Sequence, residues 1–143
     1  MPTRILEISD SNFTSALVVK NEAEDCFQEK TWRTDEEHET WYRRYRESSD
    51  MFYLIQCDSV VVGTIAVRYH PGYNEILNVA VLKKYPRNKL VTIAAQRAMF
   101  LNPIKKWRIF LKLGNKKDAR TFKKLGFKSK KEYKTFIKLE YTV

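Results

Sequence analysis

Few side chains in this chain have the type and spacing to do chemistry. The two histidines, His38 and His70, the two cysteines, Cys26 and Cys57, and the scattered carboxylates form no cluster with metal-ligand spacing. They suggest no Ser-His-Asp order either. His38 stands beside Trp41 and Tyr42 and reads as a packed surface histidine. His70 lies in a His-Pro-Gly turn near Glu75 and reads as a turn residue able to line a cleft. The cysteines are far apart and read as reduced, buried thiols. Three features remain: Glu75 at the head of an apolar run, the polar, cationic run Arg87-Asn88-Lys89 where a strand gives way to a helix, and the stretch from Leu113 to Phe127. In that stretch Gly114-Asn115 is turn chemistry and Asn115 can cap the helix that follows. Gly126 can adopt the left-handed conformation that ends a helix, with Phe127 packing back.

The elements that position these residues follow from periodicity. Arg4 to Ile8 reads as a first strand. Asp10-Ser11 caps a helix over 12–22 with Phe13, Ala16, Leu17 and Lys20 at helical spacing, and 22–33 reads as loop or broken helix. Thr34-Asp35-Glu36-Glu37 is a capping box that opens a helix to about Glu47, with Trp41, Tyr42 and Tyr45 on its apolar face. The period then changes. Met51–Cys57 and Val60–Tyr69 form a hairpin across Asp58-Ser59, with Gly63 marking a bulge or a close backbone approach. Tyr73–Leu82 is the central strand, with Glu75, Leu77, Val79 and Val81 expected on one face and Asn78 on the other. A helix beginning near Asn88 places Leu90, Ile93, Ala94, Arg97, Phe100 and Leu101 on one side and stops at Asn102-Pro103. A strand over 107–113, a helix over 117–125 and one long final strand, with Tyr133, Thr135, Ile137, Leu139 and Tyr141 sharing a face, complete the chain. The fold class is therefore mixed α/β, and residues 1–143 form a single domain.

Composition narrows the function classes. No apolar run is long enough to cross a bilayer, and the N-terminus lacks a basic-then-apolar signal pattern, so a cytoplasmic protein is expected. Charge is unevenly spread. Residues 1–80 hold 8 Lys/Arg against 14 Asp/Glu, and residues 81–143 hold 19 against 3. The basic half reads either as a solvated lysine face or as a surface for an anionic partner, nucleic acid or an acidic protein. Lysine outnumbers arginine there, which argues against base-specific reading.

The element order and the Asn115-to-Phe127 unit resemble those of the GNAT N-acetyltransferase superfamily. The resemblance implies a mostly antiparallel central sheet flanked by helices, acetyl-CoA as the acyl donor and an amine acceptor. By it, the strand edge from Asn78 to Leu82, including Val79 and Val81, meets the pantetheine arm, and Asn115 assists on that side. Arg87, Asn88, Lys89 and Thr92 hold phosphates, and Glu75, in a Glu-Ile…Ala-Val pattern, serves as base. The helices carrying Trp32, Trp41, Tyr42 and Tyr45 form the acceptor side. The chain departs from the family pattern in three places. Leu90 and Thr92 stand where phosphate-loop glycines are expected, and Phe122 occupies the coenzyme-side position of the tyrosine that protonates the departing thiolate. Tyr133 and Tyr141 are alternative acids. These departures leave a second reading open, in which a catalytically inactive module of the same fold, resembling viral and particle-associated accessory proteins, uses its basic half to bind nucleic acid or a partner protein.

Overall fold

The computed structural model describes residues 2–16, 19 and 35–143. The helix expected over 12–22 is described at 14–16 and 19 only. Cys26, Trp32, the Thr34 cap and the His38 side chain lie outside the described residues. Among the described residues seven strands build one sheet: β1 (Thr3–Glu7), β2 (Met51–Cys57), β3 (Val60–His70), β4 (Tyr73–Val81), β5 (Lys106–Lys112), β6 (Lys128–Glu132) and β7 (Phe136–Thr142). Their order is β1-β2-β3-β4-β5-β7-β6, and every pairing is antiparallel except β4 with β5. Three helices are described: α1 (Asp35–Glu47), α2 (Arg87–Leu101) and α3 (Lys116–Lys124). Among the described residues no helix is long and apolar enough to cross a membrane.

One face of the sheet is covered by α2, and the other is covered over β2–β4. On one, α2 presses Leu90, Val91, Ala94, Ala95 and Ala98 onto Ile76, Val79, Val81, Ile109 and Leu139, and the alanines let helix and sheet approach closely. On the other, Tyr42 is buried with Phe52, Leu54 and Ala66, with Trp41 and Tyr45 packed alongside. The buried side of α2 differs from the expected one. Phe100 is 84% exposed and Leu101 54% exposed, because the alanine stripe rather than the larger side chains faces the sheet.

The C-terminus also differs. One long strand was expected; instead β6 and β7 form an antiparallel hairpin, and Tyr133 stacks on Phe136 at its turn. β6 is Lys-Ser-Lys-Lys-Glu and wholly exposed, so hydrophobic alternation cannot reveal it. A polar, lysine-rich strand suits the edge of a sheet.

Two glycines are fixed by close approach. A Cβ on Gly63 would lie 2.4 Å from the Ala80 carbonyl oxygen. Gly126 closes α3 with φ +111°, and a Cβ there would lie 2.6 Å from the Tyr141 ring. The Phe127 amide returns to the Phe122 carbonyl at 3.0 Å. Gly126→Ala therefore meets backbone strain and a ring clash together, and should destabilise the fold by about 1–3 kcal/mol in denaturant unfolding.

Candidate active site

The parallel pair β4–β5 is joined over only three positions, Asn74–Ile76 against Trp107–Ile109. The ladder stops there because β4 carries an extra residue. Its register against β3 slips between Thr64 and Ala66, and Asn78 sits in the left-handed region at φ 53°. Asparagine tolerates that conformation, and the Thr64 hydroxyl holds it by donating to the Asn78 carbonyl at 2.8 Å. The strands diverge into a cleft lined by Glu75–Val79, Ile109–Lys112, Asn115 and Asp118.

The bulge also corrects the expected facing. Ile76, Val79 and Val81 lie together on the α2 side, while Leu77 packs with the aromatic cluster opposite. Glu75, Leu77, Val79 and Val81 therefore do not share a face: the inserted residue reverses the alternation at Asn78.

Two helix N-termini meet over the cleft. Arg87, first in α2, donates to Asp118 from Nε at 2.9 Å and from Nη2 at 2.6 Å. Asp118, in the first turn of α3, is buried, and its amide is capped by Asn115 Oδ1 at 3.3 Å. Asn115 Nδ2 also donates to Asp118 Oδ2 at 3.1 Å. α2 itself starts from Pro86 with no side-chain cap and no acidic residue in its first turn. The first-turn amides of such a helix lie outside its hydrogen-bond ladder, and its N-terminus carries partial positive charge, so it suits an anion. Leu90 does not obstruct it, because its side chain is fully buried in the core.

On the other face, a hollow bordered by Trp41, Tyr45, Phe52 and Arg68 shares Leu77 and Asn78 with the cleft. At the cleft's end Glu75 Oε1 is 2.8 Å from His70 Nε2. His70 stacks on Tyr73 with centroids 4.5 Å apart, and the Arg108 guanidinium lies 4.1 Å from the centre of the Tyr73 ring. Arg108 in turn donates to Glu140 at 2.8 Å. Burial pushes the Glu140 carboxyl up, but the Arg108 hydrogen bond and the charges of Lys106, Arg108 and Lys130 outweigh it, and the group lies below its ordinary value.

A family model described as the acetyltransferase (GNAT) family matches residues 17–127. The chain belongs to this family. No curated protein matches the sequence significantly. Among solved structures, spermidine N-acetyltransferase from Vibrio cholerae, in complex with CoA and spermine, superposes with TM-score 0.80 at 10% identity, over 98% of this chain and 95% of that one. Campylobacter jejuni N-acetyltransferase PseH, in complex with acetyl coenzyme A, gives 0.76 at 11% identity over 99% of each chain. The PaiA N-acetyltransferase of Thermoplasma acidophilum, in complex with coenzyme A, gives 0.73 at 17% identity over the whole of both.

Within this GNAT domain several expected site residues have structural work. Arg87 is engaged by Asp118. The Thr92 hydroxyl donates to the Asn88 carbonyl at 2.7 Å, and Asn88 Oδ1 accepts from Thr121 at 3.3 Å. Phe122 is fully buried edge-on to Phe127, and Val81 is buried in the core. Tyr133 and Tyr141 do not line the cleft, and Tyr42 is buried with its hydroxyl donating to Asp10 at 2.7 Å. Glu75, Val79 and Asn115 do line the cleft. Sequence reasoning missed Arg120 and Lys124, which border a groove with Asn88, Lys89 and Thr92 between α2 and α3. Their signal was the i, i+4 spacing that puts both on one helix face.

Arg87→Ala leaves the Asp118 carboxylate buried without its cation and should cost about 3–5 kcal/mol in denaturant unfolding. A depressed carboxyl stabilises the fold above its unfolded pKa and loses that contribution as pH falls through its folded pKa. Glu140→Gln should therefore be less stable than the parent at pH 7, and the difference should shrink in unfolding curves taken progressively below about pH 4.5, the group's ordinary value.

Proposed function

We propose that the protein transfers an acetyl group from acetyl-CoA to a primary amine. The observation that carries this is the meeting of two cavities at the Asn78 bulge: the β4–β5 cleft on one side and the aromatic hollow on the other, with Leu77 and Asn78 lining both. A thioester lying in the cleft faces an amine arriving from the hollow.

The residues present fit the coenzyme. β4 beyond Ile76, including Val79, has no ladder to β5 and can offer its backbone to the pantetheine amides. The amides of Asn88 and Lys89, in the uncapped first turn of α2, suit the pyrophosphate. Lys89, Arg120 and Lys124 supply charge along the adjoining groove, while Arg87 sets the helix end through Asp118. The structural neighbours from V. cholerae, C. jejuni and T. acidophilum, solved with CoA or acetyl-CoA, support the same choice of donor.

In the reaction the amine nitrogen attacks the thioester carbonyl carbon, so that a C–N bond forms and the C–S bond breaks. Glu75 accepts the nitrogen's proton. His70 engages Oε1 and leaves Oε2 as the receiving atom. Phe122 has no hydroxyl and is buried, so the departing thiolate takes its proton from water.

The test pairs calorimetry with turnover. Acetyl-CoA should bind the parent and Glu75→Gln alike. Lys89→Ala/Arg120→Ala should bind at least tenfold more weakly at moderate salt. Glu75→Gln should lower kcat/KM towards primary amines by about 10²–10⁴-fold, the range for losing a general base. Absent binding at any salt removes the enzyme reading. Binding without transfer to any amine of a broad panel makes the chain an acyl-CoA-binding module.

A further inference from the structure

The second half of the chain holds only three acidic residues among 19 basic ones, and the structure turns two of them inward. Asp118 is committed to Arg87, and Glu140 to Arg108. Glu132 on β6 is the remaining acid, and it is exposed. The positive surplus is therefore a property of the surface, not cancelled inside the fold.

Part of that surplus is organised on the β5–β7–β6 end of the sheet, away from the groove between α2 and α3. On β7, Ile137, Leu139 and Tyr141 pack towards the core, so Phe136, Lys138 and Glu140 project from the opposite face. Lys131 of β6 is directly opposite Lys138, and Phe110 of β5 is opposite Lys138 on its other side. Like charges at opposed positions of an antiparallel pair repel, and an anion lying across them relieves that repulsion. Lys128 extends the same cationic face and is exposed. Aromatic rings run through it. Tyr133 stacks on Phe136 at 4.5 Å, Phe136 meets Phe110 edge-on at 5.7 Å, and the Lys131 ammonium is 5.0 Å from the Tyr133 centroid.

We propose that this sheet face binds single-stranded nucleic acid, with Lys128, Lys131 and Lys138 along the phosphates and Tyr133, backed by Phe136, as a platform for a base. Lysines that follow a backbone, interleaved with rings that stack bases without reading them, form the combination that grips single strands without sequence preference. Double-stranded nucleic acid offers no open base to the rings, and an acidic protein has no use for them.

The test is fluorescence anisotropy with a labelled single-stranded DNA of about twenty nucleotides, the matching duplex and poly-glutamate. The single strand should bind at about 0.15 M salt, with log K falling against log salt at a slope near −2, as for three neutralised phosphates at about 0.7 each. Lys128→Glu/Lys131→Glu should bind at least tenfold more weakly, with the slope reduced by more than 1. Tyr133→Ala should lose roughly fivefold or more with the slope unchanged. Excess CoA should displace nothing, since the β4–β5 cleft and the α2–α3 groove that would hold it are lined by none of Lys128, Lys131 and Lys138. No binding overturns the proposal. So does a duplex or poly-glutamate that competes equally, a charge-reversal variant that binds like the parent, or displacement by CoA.

Discussion

Where the β4–β5 ladder ends, the N-termini of α2 and α3 are tied by a buried ion pair, Arg87 with Asp118. Its setting explains its strength. The N-termini of α2 and α3 meet there, each with partial positive charge, and Arg87 adds a full one. Without an anion the junction would repel itself. The Asp118 carboxylate answers Arg87 and its own helix, accepting from Nε and Nη2 of Arg87 and from Asn115 while sitting in the first turn of α3, and it leaves the first-turn amides of α2 uncapped. The fork of the guanidinium fits the carboxylate along two bonds, so the pair sets orientation as well as distance. The cleft can stay open because its rim is tied at this point rather than zipped along its length.

The Asn78 bulge is the complementary constraint. A seven-stranded sheet with continuous ladders has no interior for a ligand. One extra residue ends the β4–β5 pairing and reverses the facing of β4, which moves Val79 and Val81 towards α2 and leaves Leu77 on the aromatic side. It also requires local allowances. Gly63 lies against the Ala80 carbonyl, where a side chain would collide, and Thr64 supplies the hydroxyl that fixes the left-handed carbonyl. The residues that make the cleft thus include two on β3 that never line it.

The sequence made the apolar elements legible, because burial imposes periodicity. The α1 face of Trp41, Tyr42 and Tyr45, the β2–β3 hairpin, and the Asn115 cap with the Gly126 stop all reappear. What it hid falls into two physical kinds. β6 carries no apolar residue, so its place depends on backbone pairing to β7 rather than on a pattern. The bulge and the Arg87–Asp118 pair depend on contacts between residues distant in sequence, 31 positions apart for the pair. An arginine opening a helix after a strand has the same local signal whether it faces a phosphate or a carboxylate. Helical spacing likewise could not say which side of α2 packs, since the small alanines, rather than Phe100, permit the closest approach.

Phe122 bears on how the chemistry is shared. Its ring lies within the cluster of Phe127 and Tyr141, so a hydroxyl at this position would have to be placed in a packed apolar interior. The two proton transfers of acyl transfer to an amine differ in difficulty. A free thiol has a pKa of about 8.5, so its anion is a tolerable leaving group near neutrality, whereas an alkylammonium like that of lysine holds its proton to about 10.4. Loss of an acid beside the sulfur is therefore the milder deficit, and the nitrogen side carries the greater demand. In the proposed reaction that side is served by the polar network of Glu75 against His70, His70 against Tyr73, and Arg108 over Tyr73 with Glu140 behind it. On the proposed reading, a chain that packs its thiol-side helix apolar and keeps this network at the amine side places catalysis where the barrier is higher.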